Sequence, residues 1–567
     1  MKSIFPIFTI FILFLSLPHV SFAIIDPLAT PNNRFGIHIV EPNDISDAAR
    51  LINSNGGDWG YITLVIDQND RNISKWQDIF DNLRRHHLIP LVRISTQLEG
   101  NYWQKPNPND ISSWADFLDR LNWVVKNRYI IIFNEPNHAK EWGNSINPSE
   151  YAQILSTFHD TLKAKSDDFF ILPGGLDASA PTGKETMDET TFLKSMQEAV
   201  PDIFAKIDGW TSHSYPNPGF VGSPYSLGKG TIRTYLWEKN LLSTLGVDRP
   251  LPIFITETGW PHREGSNFQS AYLSSATVAS YLATAFSSVW TQSDIVAITP
   301  FIFNYPSFPF DNFSWKKPDG SGFYEQYDLI QNLPKERGQP LQEIKIEFSQ
   351  NPFPIKLISD SLYLLNVNIK NTGQAIFSPI DDFSFTQEAK GLTIEPANFL
   401  PIEPNKDGIL SYQVKTPPNR GKFAISLYLK HKDTFLHTIT GTIEVVDPPS
   451  LNFRLTTGLN TRYTGLVDII IYDEDEKPII EFPDTIVEDG RGVIPKIKDI
   501  IVGKEYRIVV LKPYFLPRQE RITITKDTNH LTFRPLLPMD LDLDGQFTAT
   551  DYFTIISHPI FTLSLLF

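Results

Sequence analysis

The chain has 567 residues, too many for one hydrophobic core and enough for three or four domains. A net charge of −15 with no basic cluster argues against nucleic acid, whose binding depends on neutralising phosphates. The absence of cysteine excludes disulfide frameworks, thiolate metal sites and cysteine nucleophiles.

The chain opens with "MKSIFPIFTIFILFLSLPHVSFA": Lys2, an apolar run from Ile4 to Leu17, then small residues at Ser21 and Ala23. Residues 1–23 read as a signal peptide, the run being shorter than the roughly 20 residues that span a bilayer. The expectation is a secreted or cell-surface protein with no transmembrane segment after signal cleavage.

From residue 24 to 338 a unit recurs: a short apolar strand, a loop, an amphipathic helix. Candidate strands are "FGIHIV" from Phe35, "YITLVI" from Tyr61, "LIPLVRIS" from Leu88, "YIIIFNEP" from Tyr129, "FFILPGG" from Phe169, "IDGWTSHSYP" from Ile207, "LPIFITETGWP" from Leu251 and "IVAITPFIFNYP" from Ile295. Between them, "SKWQDIFDNLRRHH" places Trp76, Ile79, Phe80 and Leu83 on one helical face, and "SEYAQILSTFHDTLKAK" predicts a helix capped by Ser149. Eight such repeats predict a (β/α)8 barrel. After "PKERGQP" the texture changes. Segments such as "SLYLLNVNIKNTG" alternate with period two, predicting an Ig-like β-sandwich over 342–447, and a second sandwich-like β-domain is expected over 449–537.

Two strands end in a carboxylate. "IIIFNEPN" runs an apolar strand into Glu135, and "FITETGWP" does the same at Glu257. Strands apolar at every position are covered on both faces, and their carboxyl ends are where barrels place chemistry. The fourth and seventh strands thus bring two glutamates to one open face.

"NEP" closing the fourth strand together with "TETGW" closing the seventh resembles the clan of retaining glycoside hydrolases built on (β/α)8 barrels. "FNEPNHAKEW" and "HSYP" are most similar to its β-xylosidase and iduronidase branch. The resemblance covers about residues 30–330. It implies Glu135 as acid/base and Glu257 as nucleophile on a poly- or oligosaccharide, with no catalytic cofactor. It further implies that Asn134 donates to the sugar 2-hydroxyl, and that Tyr215, supported by His213, holds Glu257. Arg93 ends the third strand and either faces Glu257 or forms an ordinary ion pair. Trp260, Trp142 and Trp315 lie in loops of the same face, where each either floors a sugar subsite or packs inside. A transglycosylase with the same residues and a silent carbohydrate-binding protein are the alternatives.

Near the end, "DLDLDGQFTATD" sets acidic residues at positions 1, 3 and 5, Gly at 6 and Asp at 12 of a calcium loop. Asp540, Asp542, Asp544 and Asp551 would ligate Ca2+ by side chain, Gln546 by its backbone carbonyl, and Thr548 through water. An EF-hand-like segment over 539–567 resembles a dockerin repeat, which implies a cohesin-type domain as partner; dockerins carry two such loops and this chain has one.

Overall fold

The computed structural model describes residues 24–348, 353–354, 356–396, 399–458 and 460–564. The signal-peptide reading lies outside the described residues. Two compact units are present, one reaching Glu343 and one from Ile344.

The first unit contains strands β1 (Gly36–His38), β2 (Gly60–Asp67), β3 (Leu88–Ser95), β4 (Arg128–Ile132) and β5 (Phe169–Pro173), paired in that order and all parallel. Strands β6 (Trp210–His213), β7 (Ile253–Glu257) and β8 (Ile295–Ile298) form a second parallel run. Single bridges from Asp177 to His213 and from Phe35 to Ile298 join the two runs, closing an eight-stranded parallel barrel. A helix follows each strand: α1 (Ile45–Ile52), α2 (Ile73–Arg85), α3 (Ile111–Arg120), α4 (Pro148–Lys165), α5 (Glu189–Ala199), α6 (Thr234–Thr244), α7 (Ser275–Thr284) and α8 (Glu325–Gln331). In α2 the expected face of Trp76, Ile79, Phe80 and Leu83 is buried in the core. The start of α4 differs from expectation. Asn147, not Ser149, caps it by accepting from Glu150 N at 3.1 Å, because Pro148 occupies the first turn, where its missing N–H costs nothing.

The second unit begins with two four-stranded sheets. One runs in the order Ile346–Phe348, Leu362–Asn371, Asp407–Lys415, Thr393–Pro396; the other Lys356–Ile358, Thr434–Val446, Gly421–His431, Phe383–Ala389. Leu362–Asn371 alternates at every residue, turning Tyr363, Leu365, Val367 and Ile369 into a core shared with Leu427 and Leu429 of the other sheet. The following domain is a single seven-stranded sheet, from Phe515–Thr523 at one edge to Thr528–Thr532 at the other, around its own core of Phe453, Ile469, Ile508 and Phe533. Its strands pair continuously from edge to edge, where the domain before it has two separate sheets. Tyr363 Oη ties the two domains by donating to Ile500 O at 2.8 Å. Helices Ala549–Ser557 and Pro559–Ser564 end the described chain, and no described helix is long and apolar enough to cross a membrane.

Candidate active site

The apolar run of β4 stops at Ile132, and the backbone then enters the left-handed region at Phe133 (φ +64°) and Glu135 (φ +33°). That costs energy for residues with a Cβ, and it persists because Glu135 is held at both ends: its N–H donates to Gly175 O at 3.0 Å, and its carbonyl accepts from His138 N at 2.8 Å. The turn lifts Asn134 and Glu135 to the barrel mouth.

Glu257, the last residue of β7, is 7% exposed. Its Oε1 accepts from Arg93 Nη1 at 2.5 Å and its Oε2 from Tyr215 Oη at 3.0 Å. Burial alone would raise its pKa, but His213 and then Arg93 outweigh burial and hold it well below the ordinary glutamate range. His213 Nδ1 lies 3.0 Å from Glu135 Oε1 and 3.8 Å from Glu257 Oε2. An oxygen of each glutamate falls within 4.8 Å of the other. The imidazole reaches this position because residue 175 is glycine; a Cβ there would sit 2.3 Å from His213 Cδ2. Arg93 also donates to Asn134 Oδ1 at 2.7 Å, which turns the Asn134 amide nitrogen away from the guanidinium.

Three further groups belong to this cluster and carry little sequence signal. His38, at the end of β1, is buried, and burial first and then Arg93 push its pKa down to about 3, so it stays neutral. Glu141, seven residues beyond Asn134, is raised to about 7, chiefly by burial and then by Glu135. His138 pairs with Asp177 at 2.9 Å beside Glu135. Only the alternation of "FGIHIV", which sends His38 inward, could have flagged the first.

The three tryptophans expected as sugar platforms are buried instead. Trp142 is fully enclosed and donates from Nε1 to Glu150 Oε2 at 3.0 Å; Trp260 donates to Gly222 O at 2.8 Å; Trp315 is 2% exposed. None offers a ring face to solvent. The partly exposed ring at the end of β8 is Phe301, edge-on to His38 at 5.3 Å between centroids.

Glu135, His213 and Glu257 have the donor set to hold a cation, but Arg93 already supplies positive charge to Glu257. A cavity of about 390 Å3 bordered by Phe35, Trp290 and Lys335 shares no residue with the site. In the second unit, one oxygen each of Asp540, Asp542 and Asp544 lie within 4.8 Å of one another. Gly545 adopts φ +82° and donates to Asp540. Asp551 stands outside this trio. It caps the helix Ala549–Ser557, accepting from Thr548 N at 2.7 Å, Thr548 Oγ1 at 2.9 Å and Leu541 N at 2.6 Å. Gln546 N donates to Asp544 at 2.8 Å.

No protein-family model matches the chain, and no curated protein matches it. Among solved structures, a family 39 glycoside hydrolase from Bacteroides cellulosilyticus is 14% identical, with a TM-score of 0.39, covering 69% of this chain and 82% of its own. A β-mannanase from Thermomonospora fusca is 13% identical, with a TM-score of 0.35 over 53% of this chain and 89% of its own. Endo-glycoceramidase II from Rhodococcus sp. is 11% identical, with a TM-score of 0.35 over 70% and 99%. Similarity at that level leaves the fold to be read from the strand pairings themselves.

Proposed function

We propose that the barrel unit is a retaining glycoside hydrolase acting on O-glycosidic bonds of a poly- or oligosaccharide. The observation that carries this is the approach of Glu135 and Glu257, within 4.8 Å oxygen to oxygen, on the carboxyl ends of β4 and β7. Double displacement needs two carboxyl groups about 5 to 5.5 Å apart, whereas inversion leaves room for a water at about 6.5 to 9.5 Å. Glu257, kept ionised by Arg93 and Tyr215, attacks the anomeric carbon, while Glu135 protonates the departing oxygen. The covalent ester removes the charge of Glu257, and Glu135 then takes a proton from the water that hydrolyses it. Asn134, oriented through its oxygen by Arg93, has its amide N–H left for the sugar 2-hydroxyl, a bond that strengthens in the transition state.

The test uses the chain from Ile24, alongside Glu257→Gln, on aryl β-glycosides and on plant and bacterial polysaccharides. Hydrolysis with retained anomeric configuration, reduced at least about a thousandfold in the variant, is expected. Equal polysaccharide binding by both proteins with no sugar released would favour a silent binding protein.

In the same reading the leader at residues 1–23 exports the enzyme, and the loop from Asp540 is a Ca2+ site. The Asp540, Asp542 and Asp544 trio and the Gly545 turn fit that ion, with Asp551 structuring the exit helix.

A further inference from the structure

Among the described residues of the first unit, four aromatic rings are exposed: Tyr225, Phe268, Phe308 and Phe310. All four lie in the loops that follow β6, β7 and β8. None lies in the loops after β1 to β5 or on the outer helices. Apolar rings confined to one sector of a barrel mouth mark a binding surface, since scattered exposure is what chance produces.

The sector reaches the catalytic pair through Phe310. Phe310 packs edge-on against Phe301 at 5.1 Å, and Phe301 packs against His38. Phe313 bridges Phe301 at 5.9 Å and Tyr215 at 6.1 Å, and Tyr215 holds Glu257. The loops after β7 and β8, which carry three of the rings, are stapled to each other: His262 N donates to Asn312 O and Asn312 Nδ2 donates back to His262 O, both at 2.8 Å, while Ser266 Oγ donates to Pro306 O at 2.9 Å. Phe268, Phe308 and Phe310 are thus set on cross-linked backbone, which lowers the entropy lost on binding.

We propose that this sector extends the active site beyond the sugar held between the two glutamates and binds further units of a glycan chain, so that chains are cleaved more efficiently than monoglycosides. The inference rests on the glycosidase reading. The flat apolar faces of pyranose rings suit phenylalanine.

The test compares full-length wild type with Phe310→Ala, Phe308→Ala and the double variant. Both rings are exposed, so circular dichroism and Tm should confirm intact folding. The readout is the ratio of kcat/KM on oligosaccharides of four or more units to kcat/KM on the aryl monoglycoside of the same sugar. Each lost ring is expected to lower that ratio about threefold to tenfold. Glu257→Gln carrying the same alanines should lose affinity for the oligosaccharide in titration calorimetry by a similar factor. An unchanged ratio in an enzyme that hydrolyses both substrates overturns the inference while leaving the glycosidase reading intact. So does a wild type that cleaves aryl monoglycosides and leaves every chain uncut. No hydrolysis of any substrate overturns both.

Discussion

Arg93 makes two contacts from one guanidinium nitrogen, to Glu257 at 2.5 Å and to Asn134 at 2.7 Å, so the carboxylate and the amide that the proposed mechanism uses are positioned together. Tyr215 contributes the other half of the Glu257 environment. Tyr215→Phe removes one hydrogen bond to a charged group, worth about 1.5 to 3 kcal/mol, and kcat/KM should fall about tenfold to a hundredfold with the fold unchanged. A loss below twofold would show that His213 and Arg93 keep Glu257 ionised without it. Trp142 makes the opposite kind of prediction. Trp142→Phe deletes the bond to Glu150 from an enclosed ring, costing about 1 to 3 kcal/mol of stability, with KM unmoved. A raised KM at unchanged Tm would return the ring to the substrate. The sequence showed that Trp142, Trp260 and Trp315 sit in mouth loops. It could not show that they point inward, because loops carry no periodicity from which a buried face can be read.

At the scale of elements, α5 and α6 meet behind β6 through two carboxyl groups. Glu189 and Glu238 are both fully buried, and none of their four oxygens has a hydrogen-bond partner of ordinary geometry. Asp188 and Lys229 face Glu189, while Trp210, Ser212 and His213 face Glu238. Burial first, then the facing carboxyl, holds Glu189 well above the ordinary range, and burial raises Glu238 as well. The folded chain therefore keeps protons that the unfolded chain gives up around 4.5. This contribution to stability is complete below that pH and is lost as pH rises through the folded values. Glu238→Gln keeps the shape without the titrating proton, so Tm plotted against pH should slope less steeply above 4.5 than in wild type. An equally steep slope would assign the pH dependence to other groups. This pair was invisible in the sequence, since nothing local brings residue 189 to residue 238. The strands themselves were legible, because the apolar runs of β2 to β5 are long enough to exclude a half-exposed strand. So was the pairing of Glu135 with Glu257, fixed by the shared pattern of apolar strand, carboxylate and tight turn. The sandwich strands could be read from strict alternation. The continuous pairing of the seven strands after it could not, because alternation gives which side of each strand is buried and not which other strand lies beside it.

At the scale of the whole chain, the proposed catalytic residues and the acidic tail fall in different units. Glu135, Glu257, Arg93, Tyr215 and His213 belong to the unit that ends at Glu343, whereas Asp540, Asp542 and Asp544 belong to the unit that follows. Three carboxylates within 4.8 Å repel one another, and a divalent cation between them converts that repulsion into attraction. An ion bound only by the folded loop stabilises it by about 4 kcal/mol when calcium stands about a thousandfold above its Kd. Chelation with EDTA should therefore speed proteolysis within residues 540–564 and leave hydrolysis of an aryl glycoside unchanged. Calcium should reverse the effect, and magnesium should do so less well, because it demands closer octahedral geometry and gives up water reluctantly. Asp542→Asn should make proteolysis of the tail insensitive to calcium. If chelation instead slows hydrolysis and spares the tail, the ion acts at the Glu135, His213 and Glu257 cluster, and the assignment of Glu257 as a nucleophile held by Arg93 fails with it.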